Sequence, residues 1–418
     1  MKEQKSIVTP MLILIGMFSI LGFAVGIDAY FIPFVKKAFN ISNTMSYLVI
    51  TATYASFVIF SIPSGILIKK IGYKMGIVAA FILLSASFFL IGMASNIFSF
   101  LLFLGALFIN GMGRVMLNAT INPYITILGP QESAAKRISI MGISNKLSYA
   151  GASFILAVFL DLSNVNMQDM TTPFYIISGI ILIMGIFSHF LPLPDVKAEG
   201  ENDKTIDSLF VPENIIIANA KTSIFQFPHV LLGTIAYFFY TGVEVTALGS
   251  INQYAVILGL PSPQNYVWLT SLSMVIGYLI GVIFIPKVLS QVTAIRMSAL
   301  LGLLLTILIF LAPVNISIYF IALLGLANAL ILPAIWPLSL ADLGKFTKIG
   351  SGLLVTGGIG GAIIPLIYGL TVDLSSSYQK AYLICLIPYI FILYFSLKGY
   401  NIRSGNMNVG TDKASLRR

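Results

Sequence analysis

Four ionisable side chains stand inside long apolar runs of this sequence, and they are Asp28, Arg114, Lys146 and Glu244. A charged side chain at a helix centre in hydrocarbon costs roughly +2.5 to +3.5 kcal/mol on insertion scales. Two of the four are acids and two are bases, so they can pair, and an acid beside a base can load and release a proton as its surroundings change. The set indicates either an ion path or a charge network that locks helices together. We expect an ion path, because intramembrane charges usually line a cavity.

The composition shows which solvent surrounds these residues. Hydrophobic residues make up 58% of the 418-residue sequence and charged residues 9%, against about 25% charged in soluble proteins. So few charges cannot cover a water-exposed surface, and a bilayer is the solvent that fits. The single cysteine, Cys385, excludes an intramolecular disulfide and a cysteine-rich metal site. His189 and His229 lie at the edges of apolar runs, as interfacial histidines do, so we expect neither a metal nor another cofactor.

Twelve apolar runs are long enough to cross a bilayer, for which a helix needs about 20 residues. The sequence therefore predicts an all-α membrane protein with twelve transmembrane helices. The predicted spans are 10–35, 44–68, 76–94, 97–127, 138–161, 173–193, 227–258, 266–286, 294–312, 316–340, 350–371 and 379–397.

The basic residues are distributed unevenly between the two sides of this predicted bundle. Twelve spans place both termini on one side, and 19 of the 24 Lys and Arg residues fall in the termini and loops of that side, with three in the opposite loops. Cytoplasmic loops carry such an excess. We therefore expect a multi-pass protein of the cell membrane (the inner membrane in a Gram-negative cell) with cytoplasmic termini. The net charge of +9 is a topology signal and gives no support for nucleic-acid binding.

A polar stretch near the middle of the chain, 195–221, has six predicted spans on either side. Two six-helix halves joined by a cytoplasmic linker have this pattern. An internal repeat agrees with it, because Asn118 precedes Pro123 by five residues in span 4, and Asn328 precedes Pro333 by five residues in span 10. The predicted division is a first half over 1–194, a linker over 195–225, a second half over 226–400 and a polar tail over 401–418.

Several sequence blocks resemble one family of membrane transporters. The segment 65–74 is similar to the loop between helices 2 and 3 of the major facilitator superfamily, although Lys69 stands where that superfamily usually has an acid. Further blocks are similar to the fucose, glucose and galactose symporter family, in the expected order over nearly the whole chain. These blocks are 122–142 with 145–146, 242–245, 333–337, 343–348 and 360–365. The resemblance implies a twelve-helix fold, uptake of a monosaccharide and coupling to a cation, usually the proton and less often Na⁺.

The resemblance also implies roles for single residues. Glu244 lies within the Gly-Val-Glu-Val block of the family and is the first candidate for ion coupling, with Asp28 as the second. Asp28 is one residue before the usual position of the acid in helix 1, which Ala29 occupies. Asn118 stands where fucose members carry glutamate and glucose or galactose members carry glutamine. Arg114 occupies a position that is usually apolar, and we predict that it forms an ion pair with Asp28.

A sugar needs paired hydrogen-bond donors and acceptors together with a flat apolar face. Amide side chains offer both kinds of group, and Trp336 or Tyr124 offers a ring on which a pyranose can stack. Interhelical hydrogen bonds are an equally good explanation for buried asparagines. The predicted substrate-binding residues are Asn118, Asn122, Asn145, Lys146, Asn328, Arg114 and Trp336, with Asn252 and Gln253 as further candidates.

Two other functions remain open from the sequence. In a transporter for an acidic sugar or another small organic anion, Arg114 and Lys146 would bind a carboxylate. In a sugar sensor the transporter fold would be kept without transport, but the tail after Lys398 is too short for an output domain. No nucleophile–base set or metal-ligand spacing favours an enzyme. The glycines of 357–361 predict close helix packing or a hinge.

Overall fold

In the computed structural model, the described residues are 8–40, 48–159, 166–193, 218, 220–261 and 266–403. Within these ranges the side chains of 28–34, 36, 37, 153, 154, 157–159, 252, 253, 256 and 373 lie outside the description. The predicted linker and the tail fall largely outside it too, so the predicted domain boundaries stay predictions.

The described part of the chain is built from helices that run back and forth, and we number them by span. The first six are α1 Val8–Ala38, α2 Leu48–Ile59 continued by 61–71, α3 73–96, α4 Phe100–Ile127, α5 Ala134–Phe159 and α6 Thr171–Phe190. The next three are α7 Pro228–Ile257, α8 Tyr266–Phe284 and α9 Gln291–Leu311. The last three are composite: α10 is Val314–Ala329 with Ile331–Leu340, α11 is Thr347–Thr356 with Gly357–Ile359 and Gly360–Ser375, and α12 is Tyr378–Ala381 with Tyr382–Cys385 and Leu386–Leu397.

The prediction of twelve helices is confirmed, although only ten continuous helical stretches of the described residues are long and apolar enough to cross a membrane. The stretch 61–96 is one of these ten, although it contains the end of α2 and all of α3. Gly72, with a φ of 81°, separates the two helices. That conformation is strained for residues with a Cβ and easy for glycine, so Gly72 makes the tight turn between α2 and α3. The helix α5 is not among the ten, and its sequence carries Arg137, Lys146 and several serines.

Local chemistry explains where α4 ends and α10 breaks. The guanidinium of Arg137 donates hydrogen bonds to the carbonyls of Ile125 at 2.9 Å and Thr126 at 3.0 Å. These carbonyls belong to the last turn of α4, which has no helical N–H left to satisfy them. The helix α10 is interrupted at Leu330, shortly before Pro333. Proline has no N–H and its ring displaces the preceding turn, so it fits best in the first turn of a helical segment, which is where the break places Pro333.

The packing of the helices repeats with an offset of six. In the first half α1 packs on α5, α2 and α3 pack on α4, and α3 packs on α6. In the second half α7 packs on α11, α8 on α10, and α9 on α12. The two groups therefore have the same internal arrangement, as the repeat of Asn118 and Asn328 predicted. Between the groups, α2 meets α11 and α5 meets α8.

The glycine-rich segment of α11 lies where helices approach most closely. A Cβ on Gly357 would strike the backbone of Thr234 in α7, and one on Gly360 would strike the carbonyl of Phe238. On the opposite side, a Cβ on Gly358 would meet the ring of Phe57 in α2. The predicted close packing is confirmed: glycine lets α11 fit between α7 of its own half and α2 of the other.

Candidate functional site

An ion pair joins the two halves near the middle of the bundle. The ammonium nitrogen of Lys146 on α5 lies 2.5 Å from Oε1 of Glu244 on α7. Their side chains are 10% and 13% exposed, so water screens the pair poorly. Removing one partner of such a pair leaves the other charge buried and uncompensated, at a cost of about 3–5 kcal/mol. The first half supplies the cation and the second half the anion, so any motion that separates the halves must break or exchange this contact.

Aromatic side chains surround the pair. The phenols of Tyr237, Tyr240 and Tyr278 are close enough to the carboxylate of Glu244 to interact with it electrostatically. Tyr237 and Tyr240 stack with their ring centroids 6.1 Å apart. The ammonium of Lys146 lies 5.7 Å from the centroid of Tyr149, within the range of a cation–π interaction. The polar centre is therefore lined by rings with hydroxyl groups, which offer both a flat apolar face and hydrogen-bonding atoms.

Arg114 lies on α4 and is buried, with 2% of its surface exposed. Its Nη2 donates a hydrogen bond to the carbonyl oxygen of Ala24 on α1. Ala24 precedes Asp28 by one helical turn in α1, so Arg114 reaches the neighbourhood in which the predicted ion pair would form. The side chain of Asp28 lies outside the described residues, and its pairing with Arg114 stays a prediction.

Arg114, Asn118 and Asn122 form a ladder along one face of α4. The amide nitrogen of Asn118 donates to the carbonyl of Arg114 at 3.0 Å, and that of Asn122 donates to Oδ1 of Asn118 at 3.1 Å. Asn118 is half-buried, whereas Asn122 is fully buried and its Oδ1 has no hydrogen-bond partner among the described residues. A buried acceptor without a partner costs about 1–3 kcal/mol, so this oxygen is suited to accept a hydrogen bond from water or a ligand hydroxyl.

Two other predicted asparagines are engaged between helices. The amide nitrogen of Asn145 donates to the carbonyl of Phe18 on α1 at 3.1 Å. The hydroxyl of Tyr389 on α12 donates to Oδ1 of Asn328 at 2.8 Å. The amide of Asn328 is thus directed towards the outer helix α12. Both contacts are the interhelical hydrogen bonds that the sequence left as an alternative to sugar binding.

The tryptophan predicted to stack on a sugar is fully buried in α10. The ring of Trp336 meets Tyr237 edge to face, with centroids 6.1 Å apart. Tyr237 in turn stacks on Tyr240, so the three rings form a row that runs from α10 towards Glu244. Tyr124, the other predicted stacking residue, is also buried and packs edge to face on Tyr73 at 5.9 Å. Neither ring offers an open face in this structure.

Contacts between α2 and α11 close one end of the bundle. We call the end formed by the α2–α3, α4–α5 and α10–α11 connections the basic end. There a Cβ on Gly65 would lie 2.8 Å from the carbonyl of Lys348 and 3.3 Å from Cα of Gly352. The hydroxyl of Ser351 donates to the carbonyl of Ala119 at 3.1 Å, from one half to the other.

A cation–π contact adds to this closure. The ammonium of Lys348, at the start of α11, lies 5.1 Å from the ring centroid of Tyr73. Lys348 is 7% exposed and Tyr73 is 1% exposed, so the contact is desolvated, and such contacts are worth about 2 kcal/mol or more. Sequence reasoning did not single out Lys348 or Tyr73. Both residues lie within blocks that were singled out for their resemblance, 65–74 and 343–348, but nothing in the sequence indicated that they contact each other.

Comparison with known proteins agrees with this architecture. The sequence pattern of the Major Facilitator Superfamily matches residues 12–365. A glucose/galactose transporter of Brucella abortus is 28% identical over 397 residues, covering 92% of each chain. The L-fucose-proton symporter of Escherichia coli is 25% identical over 420 residues, covering 94% of each chain.

Solved structures show the same fold. The transporter FucP in its outward conformation has a TM-score of 0.78 and 25% identity, covering 94% of this chain and 99% of its own. The proton:xylose symporter XylE, at 14% identity and a TM-score of 0.71, shares the fold and covers 92% of this chain and 94% of its own. With the family pattern matched over most of its length, and with two six-helix groups of repeated packing, this chain belongs to the Major Facilitator Superfamily.

Proposed function

We propose that this chain takes up a neutral monosaccharide, a hexose such as glucose, galactose or fucose, by symport with a proton across the cell membrane. The names of two relatives support a sugar as the substrate and a proton as the coupling ion. Over nearly their full length, this chain is similar to a glucose/galactose transporter and to an L-fucose-proton symporter. The observation that carries the mechanism is the ion pair between Lys146 and Glu244, which links the halves that must move.

The pair suits a carboxylate that loads and releases a proton. A neighbouring cation favours the charged form of an acid, so a closed pair favours proton release. Protonation of Glu244 cancels its charge and removes the attraction to Lys146. The halves are then no longer tied at this point, and the ammonium of Lys146 can donate hydrogen bonds to a sugar hydroxyl. When the pair closes again while the site is open to the other side of the membrane, Glu244 releases its proton there.

The contacts favour a neutral substrate over an acidic sugar. The ammonium of Lys146 is already neutralised by Glu244 at 2.5 Å. A substrate carboxylate would have to compete with Glu244 for Lys146. A hydroxyl carries no charge, so it binds beside the pair without that competition.

We assign the sugar first to the ladder on α4. Asn118 is half-buried, and Oδ1 of Asn122 has no partner among the described residues. Arg114, the first member of the ladder, and Lys146 are further candidate donors to the sugar. Asn122, Asn328 and Trp336 are fully buried in this state and the amide of Asn145 is engaged by Phe18, so these side chains would reach a sugar only after the halves have moved. Transport rather than catalysis is the activity that this arrangement supports.

The test uses Glu244→Gln in proteoliposomes with radiolabelled hexoses. Glutamine keeps the size and removes the titratable group, so we expect loss of accumulation driven by a proton gradient while counterflow of sugar survives. The control is Glu132→Gln, which changes an exposed acid in the α4–α5 connection and leaves both activities intact. If Glu244→Gln concentrates sugar as the parent does, Glu244 is not the coupling acid. Counterflow with sugar acids alone would contradict the neutral substrate.

A further inference from the structure

Tyr278 crosses the boundary between the halves. It lies on α8 of the second half and is 1% exposed. Its ring rests against Gly142 on α5 of the first half: a Cβ on Gly142 would lie 2.7 Å from both Cε1 and Cζ of the ring. Real Cβ atoms do not approach a ring so closely, so the missing side chain of Gly142 forms a notch that the ring fills.

The notch lies between the ion pair and the basic end of the bundle. Gly142 is four residues before Lys146 on α5, and residues with this spacing lie on one helix face. At 1.5 Å per residue, Gly142 is about 6 Å closer to the basic end than Lys146. The phenol of Tyr278 also interacts electrostatically with the carboxylate of Glu244. The ring is therefore in contact with the first half directly beneath the pair.

The surroundings of the ring are dry and tightly packed. Tyr278 forms an apolar cluster with Leu248, Met274 and Ala329, against which Ile143 packs. About one helical turn further towards the basic end, a Cβ on Gly281 would lie 2.7 Å from Oγ of Ser139, so α5 and α8 touch there as well. Along α5, the ring therefore lies between the basic end and the pair.

We propose that Tyr278, seated in the notch of Gly142, is the shutter that separates the Lys146–Glu244 pair from water at the basic end. The ring belongs to one half and the notch to the other, so parting of the halves at this end withdraws the ring and opens the pair to that side. This role of Tyr278 rests on the proposed function, because the ring controls when water reaches Glu244, the carboxylate that exchanges the proton. Tyr278 acts here as a positioning residue and does not bind the sugar.

The test compares Tyr278→Ala, Tyr278→Phe and Gly142→Ala in the full chain. A water-soluble carbodiimide with glycine ethyl ester is applied to the basic face of sealed vesicles, and modification of Glu244 is measured by mass spectrometry, with Glu244→Gln as the assignment control. We expect Tyr278→Ala to react several times faster than the parent and Tyr278→Phe to react at the parent rate, because phenylalanine keeps the ring. Gly142→Ala fills the notch, displaces the ring and should also accelerate the reaction.

The proposal is overturned if Tyr278→Ala reacts at the parent rate, or if Tyr278→Phe reacts as fast as Tyr278→Ala. Should Tyr278→Ala fail to fold, the rate of Gly142→Ala decides: a parent-like rate overturns the shutter and a faster one supports it. A second readout is the proton leak into sugar-free proteoliposomes that contain a pH-sensitive dye. Faster modification with an unchanged leak would support the shutter and contradict Glu244 as the coupling acid.

Discussion

The ammonium of Lys348 and the ring of Tyr73 face each other at 5.1 Å across the boundary between the two halves, although 275 positions separate the residues in the chain. Both side chains are buried. Together with the approach of Gly65 to Gly352, this contact holds the basic end closed. The closed end, the shutter at Tyr278 and the intact ion pair all belong to one state of the transporter, in which the pair is cut off from the basic side.

Replacing Tyr73 by leucine should loosen the basic end. The loss of a desolvated cation–π interaction of about 2 kcal/mol corresponds to a roughly 30-fold shift towards the open state. Opening of the basic end is measured by the reactivity of a cysteine introduced as Ser351→Cys in a Cys385→Ser background. Ser351 is buried at this contact, so a cysteine there becomes accessible only when the end opens. Its reaction with an impermeant maleimide from the basic side should accelerate in Tyr73→Leu. Tyr73→Phe keeps the ring face and should react like the parent; equal acceleration in both variants would contradict the cation–π contact.

Asp28 and Arg114 should behave as a pair in a double-mutant cycle. In a buried pair, Asp28→Asn and Arg114→Gln each leave the partner's charge uncompensated, and each should lower stability by about 3–5 kcal/mol. The double variant should recover stability relative to either single variant, without necessarily restoring coupled transport. Melting temperatures of the four proteins measure this. A double variant no more stable than the worse single variant would mean that the two residues act separately.

Gly360→Ala should destabilise the protein, because the added methyl group strikes the carbonyl of Phe238 in α7. Overpacking of this kind costs about 1–3 kcal/mol, which lowers the melting temperature by several degrees. The matched control is Gly369→Ala, in the same helix, where a Cβ meets nothing within 4 Å. There the gain in helix propensity, up to about 1 kcal/mol, should leave the protein equally or more stable. Equal melting temperatures for the two variants would show that α7 and α11 are not in tight contact.

Labels in the 195–221 linker and at the C-terminus should react from the cytoplasmic side alone. The prediction rests on the 19 basic residues on the side of the termini and on the positive-inside rule. Single cysteines introduced at these places into a Cys385→Ser background are tested with an impermeant maleimide in intact cells and after lysis. Reaction of either label in intact cells would reverse the orientation.

The number of helices and the family could be predicted from the sequence because their signals are local. Apolar runs, loop charges and short blocks such as 242–245 can be detected without knowledge of the packing. The turn at Gly72 and the break at Leu330 also follow from glycine and proline chemistry. Glu244 and Lys146 could be identified as intramembrane charges for the same reason.

The choice of partners could not be predicted in this way. The sequence indicated that the two intramembrane acids and two bases can pair, but not that Lys146 pairs with Glu244, 98 positions further along the chain. The repeat made Asn118 and Asn328 look equivalent, but Asn118 belongs to a ladder on its own helix whereas Asn328 contacts Tyr389. Tyr278 gave no signal, because a single tyrosine in an apolar run looks like any other core residue until Gly142 is seen opposite it.

The division of the ion pair between the halves also determines how the membrane potential acts on the cycle. With Glu244 ionised and paired to Lys146, the empty carrier is electrically neutral at this site. With Glu244 protonated, the sugar-loaded carrier keeps the single positive charge of Lys146. A full elementary charge that crosses 100 mV gains about 2.3 kcal/mol. In the proposed symport cycle, a negative interior therefore drives the loaded carrier inwards and the empty pair returns without a net charge, so uptake would carry an inward current of one charge for each sugar.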